Sequence, residues 1–244
     1  MGLDAGREIV GVLGGMGPLA SAEFLKTIYE SSRYEREQDA PAVIVYSDPS
    51  FPDRTEAILT GRDDELLARL CAALEWLEGQ RASTIVICCV TIHYLLDRLS
   101  PARRARIRAL TDVILERVIR ERRRYLLLCT EGTRRSGVFE THPLWDRARD
   151  FVVLPTDRDQ RTVHELIYDV KVRREGGDTC KRLDALRRRH GVDGLIAACT
   201  ELHIVLKRLR ASGVPWCCVD PLAIIAEELG HHLEKSERIG VHAS

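Results

Sequence analysis

Seven short, nearly continuous apolar runs punctuate the chain: EIVGVL (8–13), AVIVYS (42–47), STIVICC (83–89), YLLLC (125–129), FVVLP (151–155), GLIAAC (194–199) and PWCCV (215–219). Runs of this length, rich in β-branched residues, predict buried strands. Between them the apolar positions recur at helical spacing, predicting helices over Ala20–Arg33, Asp63–Glu78, Thr111–Glu121, Arg161–Arg174 and Thr179–His190. Asp63 and Asp64 open one of these helices and Gly79 closes it, the expected charge and C-terminal signals. Strands without polar alternation, separated by helices, imply parallel sheets covered on both faces. The predicted fold class is α/β.

The pattern also repeats. Laying ICCVTIHYLLDRL over AACTELHIVLKRL with a shift of 110 residues aligns Cys89 with Cys199, His93 with His203, Arg98 with Arg208 and Leu99 with Leu209. A weaker echo pairs IVGVLGGMG with YLLLCTEGT. The economical arrangement is two similar lobes, each a parallel sheet flanked by helices. Residues 1–110 form the first lobe, expected to be joined by the last strand and helix (214–244), and residues 111–213 form the second.

Composition narrows the classes. The chain has 244 residues, 37 Lys+Arg against 37 Asp+Glu, and a formal net charge of zero. That balance argues against a nucleic-acid or anionic-membrane partner, and the Arg-rich runs Arg103–Arg108, Arg120–Arg124 and Arg187–Arg189 read as solvated helix faces. At 45% hydrophobic and 30% charged, the chain can bury a core without being membrane-embedded. No apolar run is long enough to span a bilayer, the first residues lack a signal-peptide pattern, and Gly6 breaks the myristoylation pattern, so a cytoplasmic location is expected. Most of the eight cysteines lie in or at the end of apolar runs, as reduced thiols do, leaving them as core filler, metal ligands or reactive groups.

Cys89 and Cys199 each end a strand and precede an amphipathic segment. Binding sites of parallel sheets form at that edge, and a thiol at a helix N-terminus is expected to have a lowered pKa. Two such thiols across a cleft suit the removal of a proton from one face of a carbon and its return to the other. The same register is equally what duplication of two buried strand-end cysteines would leave.

GVLGGMGPLAS, PDRT (Pro52–Thr55), CCVTIHY, LLCTEGT and AACTELH stand in the order and spacing of the cofactor-independent aspartate/glutamate racemases, and the sequence resembles that family from about Ile9 to Asp220. The resemblance implies two lobes related by a pseudo-twofold, an active site in the cleft between them, no cofactor or metal, and commonly a homodimer. It implies catalytic roles for Cys89 and Cys199. Substrate-binding roles follow for Met16, Arg54, Thr91, Thr130, Thr133, Lys171, Thr200 and Glu201. His93 and His203 are candidates for tuning the thiols. The implied partner is a small-molecule amino acid or related carboxylate. One departure stands out: the family's Cys-Asn-Thr is here Cys89-Val90-Thr91, so an amide that holds substrate is replaced by an apolar side chain. Ile92 is also bulkier than the Ala often found there. Other reactions of the superfamily (hydantoin racemase, maleate isomerase, arylmalonate decarboxylase) and a non-catalytic small-molecule-binding homologue therefore stay open.

Three rival signals are weaker. Gly15-Met16-Gly17-Pro18-Leu19-Ala20 fits a dinucleotide fingerprint, but its acidic partner, Asp48, lies about ten residues further on than the usual ~20. Cys89/His93 and Cys199/His203 could compose a Cys2His2 zinc set, without a Cys-x2-Cys. None of the five lysines sits in a recognisable pyridoxal-phosphate context.

Overall fold

The computed structural model describes residues 8–32, 34–172, 179–213 and 217–240, the last ten of these as backbone only. In chain order the first half contains β1 (Ile9–Gly14), α1 (Pro18–Ser31), β2 (Ala42–Ser47), α2 (Arg54–Thr60), α3 (Asp63–Gly79), β3 (Thr84–Ile87), α4 (Pro101–Arg104) and α5 (Leu110–Glu121). The second half follows with β4 (Tyr125–Cys129), α6 (Glu131–Ser136), α7 (Trp145–Ala148), β5 (Val152–Val153), α8 (Asp157–Lys171), α9 (Thr179–Arg189), β6 (Gly194–Ala198), α10 (Glu201–Ala211), β7 (Cys217–Val219) and α11 (Pro221–Gly240).

All strand pairs are parallel, in two sheets ordered β2-β1-β3 and β5-β4-β6-β7. The first sheet gains a fourth position from a parallel bridge between Ile85 and Ile107. The internal repeat is thereby visible in the pairing: one row of the first sheet joins Val43, Val10 and Thr84 as one row of the second joins Val152, Tyr125 and Gly194, and Ile107 lies beside Ile85 as Cys218 lies beside Leu195.

The tail assigned to the first lobe divides. β7 pairs with β6 (Gly194 opposite Cys217, Ile196 opposite Val219) and is the edge of the second sheet, because it is the counterpart of Ile107 in the first. The helix after it, α11, does cross to the first lobe and packs on α1; a side chain at Gly230 would collide with the Ser31 carbonyl. In exchange, α5 packs against α7, β7 and α11. Each lobe therefore contributes its last helix to the contact with the other.

Strand residues alternate between two cores, as the pleat requires. Val10, Val12, Val86, Cys88, Tyr125, Leu127, Cys129, Ile196 and Ala198 face inward to one cluster shared by both lobes and by α5 and α11. Leu13, Ile85 and Ile87 face outward under α3, and Leu126, Leu128, Leu195 and Ala197 face outward under α8 and α10. Among the described residues no helix is long and apolar enough to cross a membrane.

Several helix limits differ from the sequence periodicity. Helix α8 starts at Asp157, not Arg161, because the Thr156 hydroxyl caps it by accepting from the Asp159 N–H; the expected end at Arg174 lies outside the described residues, as do Arg33, Pro215 and Trp216. The segment after Cys89 is a 3-10 helix (Thr91–Arg98), while that after Cys199 is the α-helix α10.

The crossing helix α11 is pinned by a buried chain. The Asp220 carboxylate meets His203 Nδ1 at 2.8 Å, and His203 Nε2 meets Thr27 Oγ1 of α1 at 2.9 Å. Burial would raise the Asp220 pKa, but His203, with help from Arg210, holds it below the usual carboxylate range. His203→Ala should leave this buried carboxylate with only the Ala223 N–H at 3.3 Å and Arg210 at 3.7 Å, and lower stability by about 3 kcal/mol or more, read from denaturant midpoints. A loss below about 1 kcal/mol would show that the pin carries little of the fold.

Candidate active site

Because every strand is parallel, all carboxyl ends open on one edge, and the turns after β1, β3, β4 and β6 converge there. A narrow cavity between the lobes, of only about 10 Å³, is lined by Met16, Arg54, Cys89, Thr91, Cys199 and Glu201, with Thr130, Lys171 and Thr200 also on its wall. Every residue expected at the site lines this cavity except Thr133, which reaches it through Thr130, and the two histidines.

The hydroxyls tie the lobes together. Thr91 Oγ1 lies 2.8 Å from Thr133 Oγ1 and 3.3 Å from Thr130 Oγ1, and the two second-lobe hydroxyls are 3.0 Å apart. Thr200 donates across the cleft to the Cys88 carbonyl at 3.3 Å.

Charge is placed by the two lobes separately. Arg54 is the first residue of α2, which Asp53 caps by accepting the Glu56 N–H. Its guanidinium is only 9% exposed and donates to the carbonyls of Met16 and Pro52, both at 2.8 Å, while its Nε has no partner. Burial works against that charge, but Cys89, then Asp53 and Glu201, favour it and raise its pKa. From the other lobe, Lys171 ends α8 with its ammonium 4.3 Å from the Tyr168 ring centroid. Its pKa too is lowered by burial but raised further by Cys199 and Glu201, with a net upward shift.

The two sulfurs are not equivalent. Cys199 donates its S–H to Glu201 Oε2 at 2.9 Å, and burial followed by the Glu201 charge pushes its pKa well above that of a free thiol, despite Lys171. The expected lowering by a helix N-terminus is overridden here, because burial, reinforced by a carboxylate two residues on, outweighs the partial charge of the helix. Cys89 precedes a 3-10 turn instead, and its neighbouring full charge is Arg54.

The histidines do other work. His93 Nδ1 donates to the Cys89 carbonyl at 2.7 Å and its Nε2 accepts the Leu110 N–H at 3.0 Å, with burial pushing its pKa down to about 4. A neutral ring with both nitrogens engaged supplies no imidazolium to the thiol and no metal-binding lone pair. His203 is the pin described above, 17 residues before Asp220 as His93 is before Leu110. Among the described residues no cluster of three His, Cys, Asp or Glu side chains is placed to hold a metal.

The glycine fingerprint has a packing cause. Gly15, at φ +87°, lets the chain pass the Asp48 backbone, and a Cβ on Gly17 would sit 2.2 Å from Glu201 Oε1. Asp48 itself is held by Arg69 and Ser50. The remaining cysteines divide less neatly than the apolar runs suggest: Cys88 and Cys129 are buried, burial pushing the Cys129 pKa to about 12, whereas Cys180 is exposed.

Sequence reasoning missed Asp53 and Tyr168. The Tyr168 hydroxyl donates to Asp53 Oδ2 at 2.9 Å, joining α8 to the N-cap of α2 beside the cavity. Asp53 had a readable signal as an acidic cap before a short helix; Tyr168, one turn before Lys171, had none.

Two α/β lobes with a thiol from each in a shared, water-poor cavity define a class of protein before any comparison is made. The chain belongs to the Asp/Glu/Hydantoin racemase family, whose model matches residues 13–229, and is thus an isomerase by class. It is similar to the Picrophilus torridus aspartate racemase (26% identity, 93% of this chain and 94% of that one, TM-score 0.75). The fold is also shared with an aspartate racemase homologue from Pyrococcus horikoshii OT3 (21%, 93% and 100%, TM-score 0.69) and the glutamate racemase of Campylobacter jejuni subsp. jejuni (19%, 92% and 85%, TM-score 0.61).

Two measurements check this electrostatic picture. Glu201→Gln should move the Cys199 titration to lower pH, followed by pH-dependent alkylation and mass spectrometry; an unmoved titration would remove Glu201 as the cause. His93 binds its proton more weakly folded than unfolded, so the stability its neutral form supplies is full above pH ~6.5 and declines toward pH ~4, by on the order of 3 kcal/mol. That acid-side slope should be absent in His93→Gln.

Proposed function

We propose that the protein is a cofactor-independent racemase or epimerase that moves the proton on a carbon next to a carboxylate between Cys89 and Cys199. The observation that carries this reading is the convergence of one cysteine from each lobe on a single cavity that is also lined by a cation from each lobe, Arg54 buried and Lys171 half-buried. Cys89, beside Arg54, acts as the thiolate that takes the proton; Cys199, held protonated by Glu201, delivers its own proton to the opposite face. The reverse direction begins with the roles exchanged, the Cys199 thiolate then lying near Lys171.

Arg54 and Lys171 suit a substrate with carboxylates at both ends, and the unpartnered Glu201 Oε1 suits its ammonium group. The names of the similar proteins support an acidic amino acid. As the carbon loses its proton, negative charge grows on the adjacent carboxylate, where a preorganised guanidinium and free N–H groups stabilise it. The cavity has room for about one water and adjoins an open pocket of about 270 Å³ that shares Met16, Asp53, Arg54, Lys171 and Glu201 with it, so substrate approaches the thiols from that side as the cavity widens.

Val90 favours a second reading, another reaction of the family on a different carboxylate. Its side chain, 1% exposed, packs in the core shared by the lobes, so position 90 offers the substrate no amide.

The test is solvent-deuterium incorporation at the α-carbon across aspartate, glutamate, other amino acids and cyclic analogues. The acidic amino acids should exchange and racemise, and exchange confined to cyclic or non-amino carboxylates would select the second reading. Cys89→Ser and Cys199→Ser should each lower two-way turnover by at least a thousandfold. Full racemisation by either variant would refute the two-thiol assignment.

A further inference from the structure

Behind the Thr55 wall of the catalytic cavity lies a second, larger pocket of about 700 Å³, between α2, α6 and α8. The wall is a close contact: a side chain on Gly132 of α6 would meet Thr55 at 2.6 Å. The proposed reaction uses none of the pocket's polar groups, and Thr55 is the residue that lines both spaces.

Several of those groups are unspent. Arg135 pairs with Glu131, and Arg134 lies 3.9 Å from Asp157 and donates to the Pro155 carbonyl. Arg161 and Glu165, by contrast, form no ion pair or hydrogen bond among the described residues, although they stand one turn apart on α8. His164 accepts the Glu131 N–H on Nδ1, which leaves Nε2–H as a free donor. Gln160, 2% exposed, spends its Nε2 on the Cys129 carbonyl while its Oε1 has no partner. An unsatisfied buried amide oxygen is costly, and it marks a place where a donor belongs. The inventory is therefore one free cation, one free carboxylate, one ring N–H and one unpaired acceptor, beside the exposed apolar side chain of Leu59.

We infer that this pocket is a second ligand site, separate from the catalytic cavity, that takes a small zwitterion of the amino-acid class. The ligand carboxylate goes to Arg161 and His164, its ammonium to Glu165 and the unpaired Gln160 oxygen, and its side chain against Leu59. A ligand there touches α2 at Thr55 and Leu59, and α2 begins with Arg54, so occupancy and the catalytic cavity bear on the same short helix.

The test uses isothermal titration of the full chain with L-alanine, L-glutamate and L-lysine at fixed ionic strength. Three proteins are compared: the parent, the Arg161→Ala/Glu165→Ala variant, and Lys171→Met. At least one amino acid should bind the parent and Lys171→Met alike but bind Arg161→Ala/Glu165→Ala at least tenfold more weakly, with unchanged circular dichroism. Equal binding by the parent and Arg161→Ala/Glu165→Ala, or no binding of any of the three at 10 mM, would overturn the proposal. Loss of binding in Lys171→Met alone would also overturn it, placing all binding in the catalytic cavity. Failure of the racemisation assay is a separate outcome, because it is read from deuterium exchange and not from these heats.

Discussion

The inward faces of the two sheets share one apolar cluster, and the geometry of the site depends on that shared burial. Val10, Val12, Val86, Tyr125, Leu127 and Ile196 lie in it together with residues of α5 and α11. Side chains packed at crystalline density tolerate little relative displacement, so the lobes are held as a pair and their strand ends face a common space. The exchange of last helices follows from the same constraint. The helix that follows each edge position, α5 in the first lobe and α11 after the second, contributes to the apolar cluster between the inner faces.

Within that frame the cavity separates two chemically identical groups by their neighbours. Burial and a carboxylate beside Cys199 favour its protonated form, whereas the full charge beside Cys89 is the Arg54 guanidinium. The repeat supplies symmetry of backbone; Glu201 and Arg54, which have no equivalents in the matched register, break it.

Small residues decide how close the charged groups come. Gly17 admits the Glu201 carboxylate against the turn after β1, and Gly132 lets α6 rest on Thr55. The Gly-x-Gly pattern that looks like a phosphate-binding loop is here a pattern of close approach, by Gly15 to the Asp48 backbone within the first lobe and by Gly17 to Glu201 across the cleft. Val90 is a comparable case. Read as a missing substrate contact, it is in the folded chain a member of the shared core, which gives an apolar residue a reason to be there.

The strands, the parallel α/β class, the 110-residue repeat and the pairing of Cys89 with Cys199 were legible in the chain because pleat alternation, helical spacing and register are local or periodic properties. Placing β7 required the sheet itself, since a three-residue strand carries no sign of which edge it joins. The roles of His93 and His203 were equally hidden: their spacing from the cysteines suggested thiol tuning, whereas their partners, Leu110, Asp220 and Thr27, lie 17 or more residues away. The same holds for the protonation of Cys199 and for the bond between Asp53 and Tyr168. Hydrogen bonds and electrostatic fields act over a few ångströms of space, and only folding decides which residues share that space.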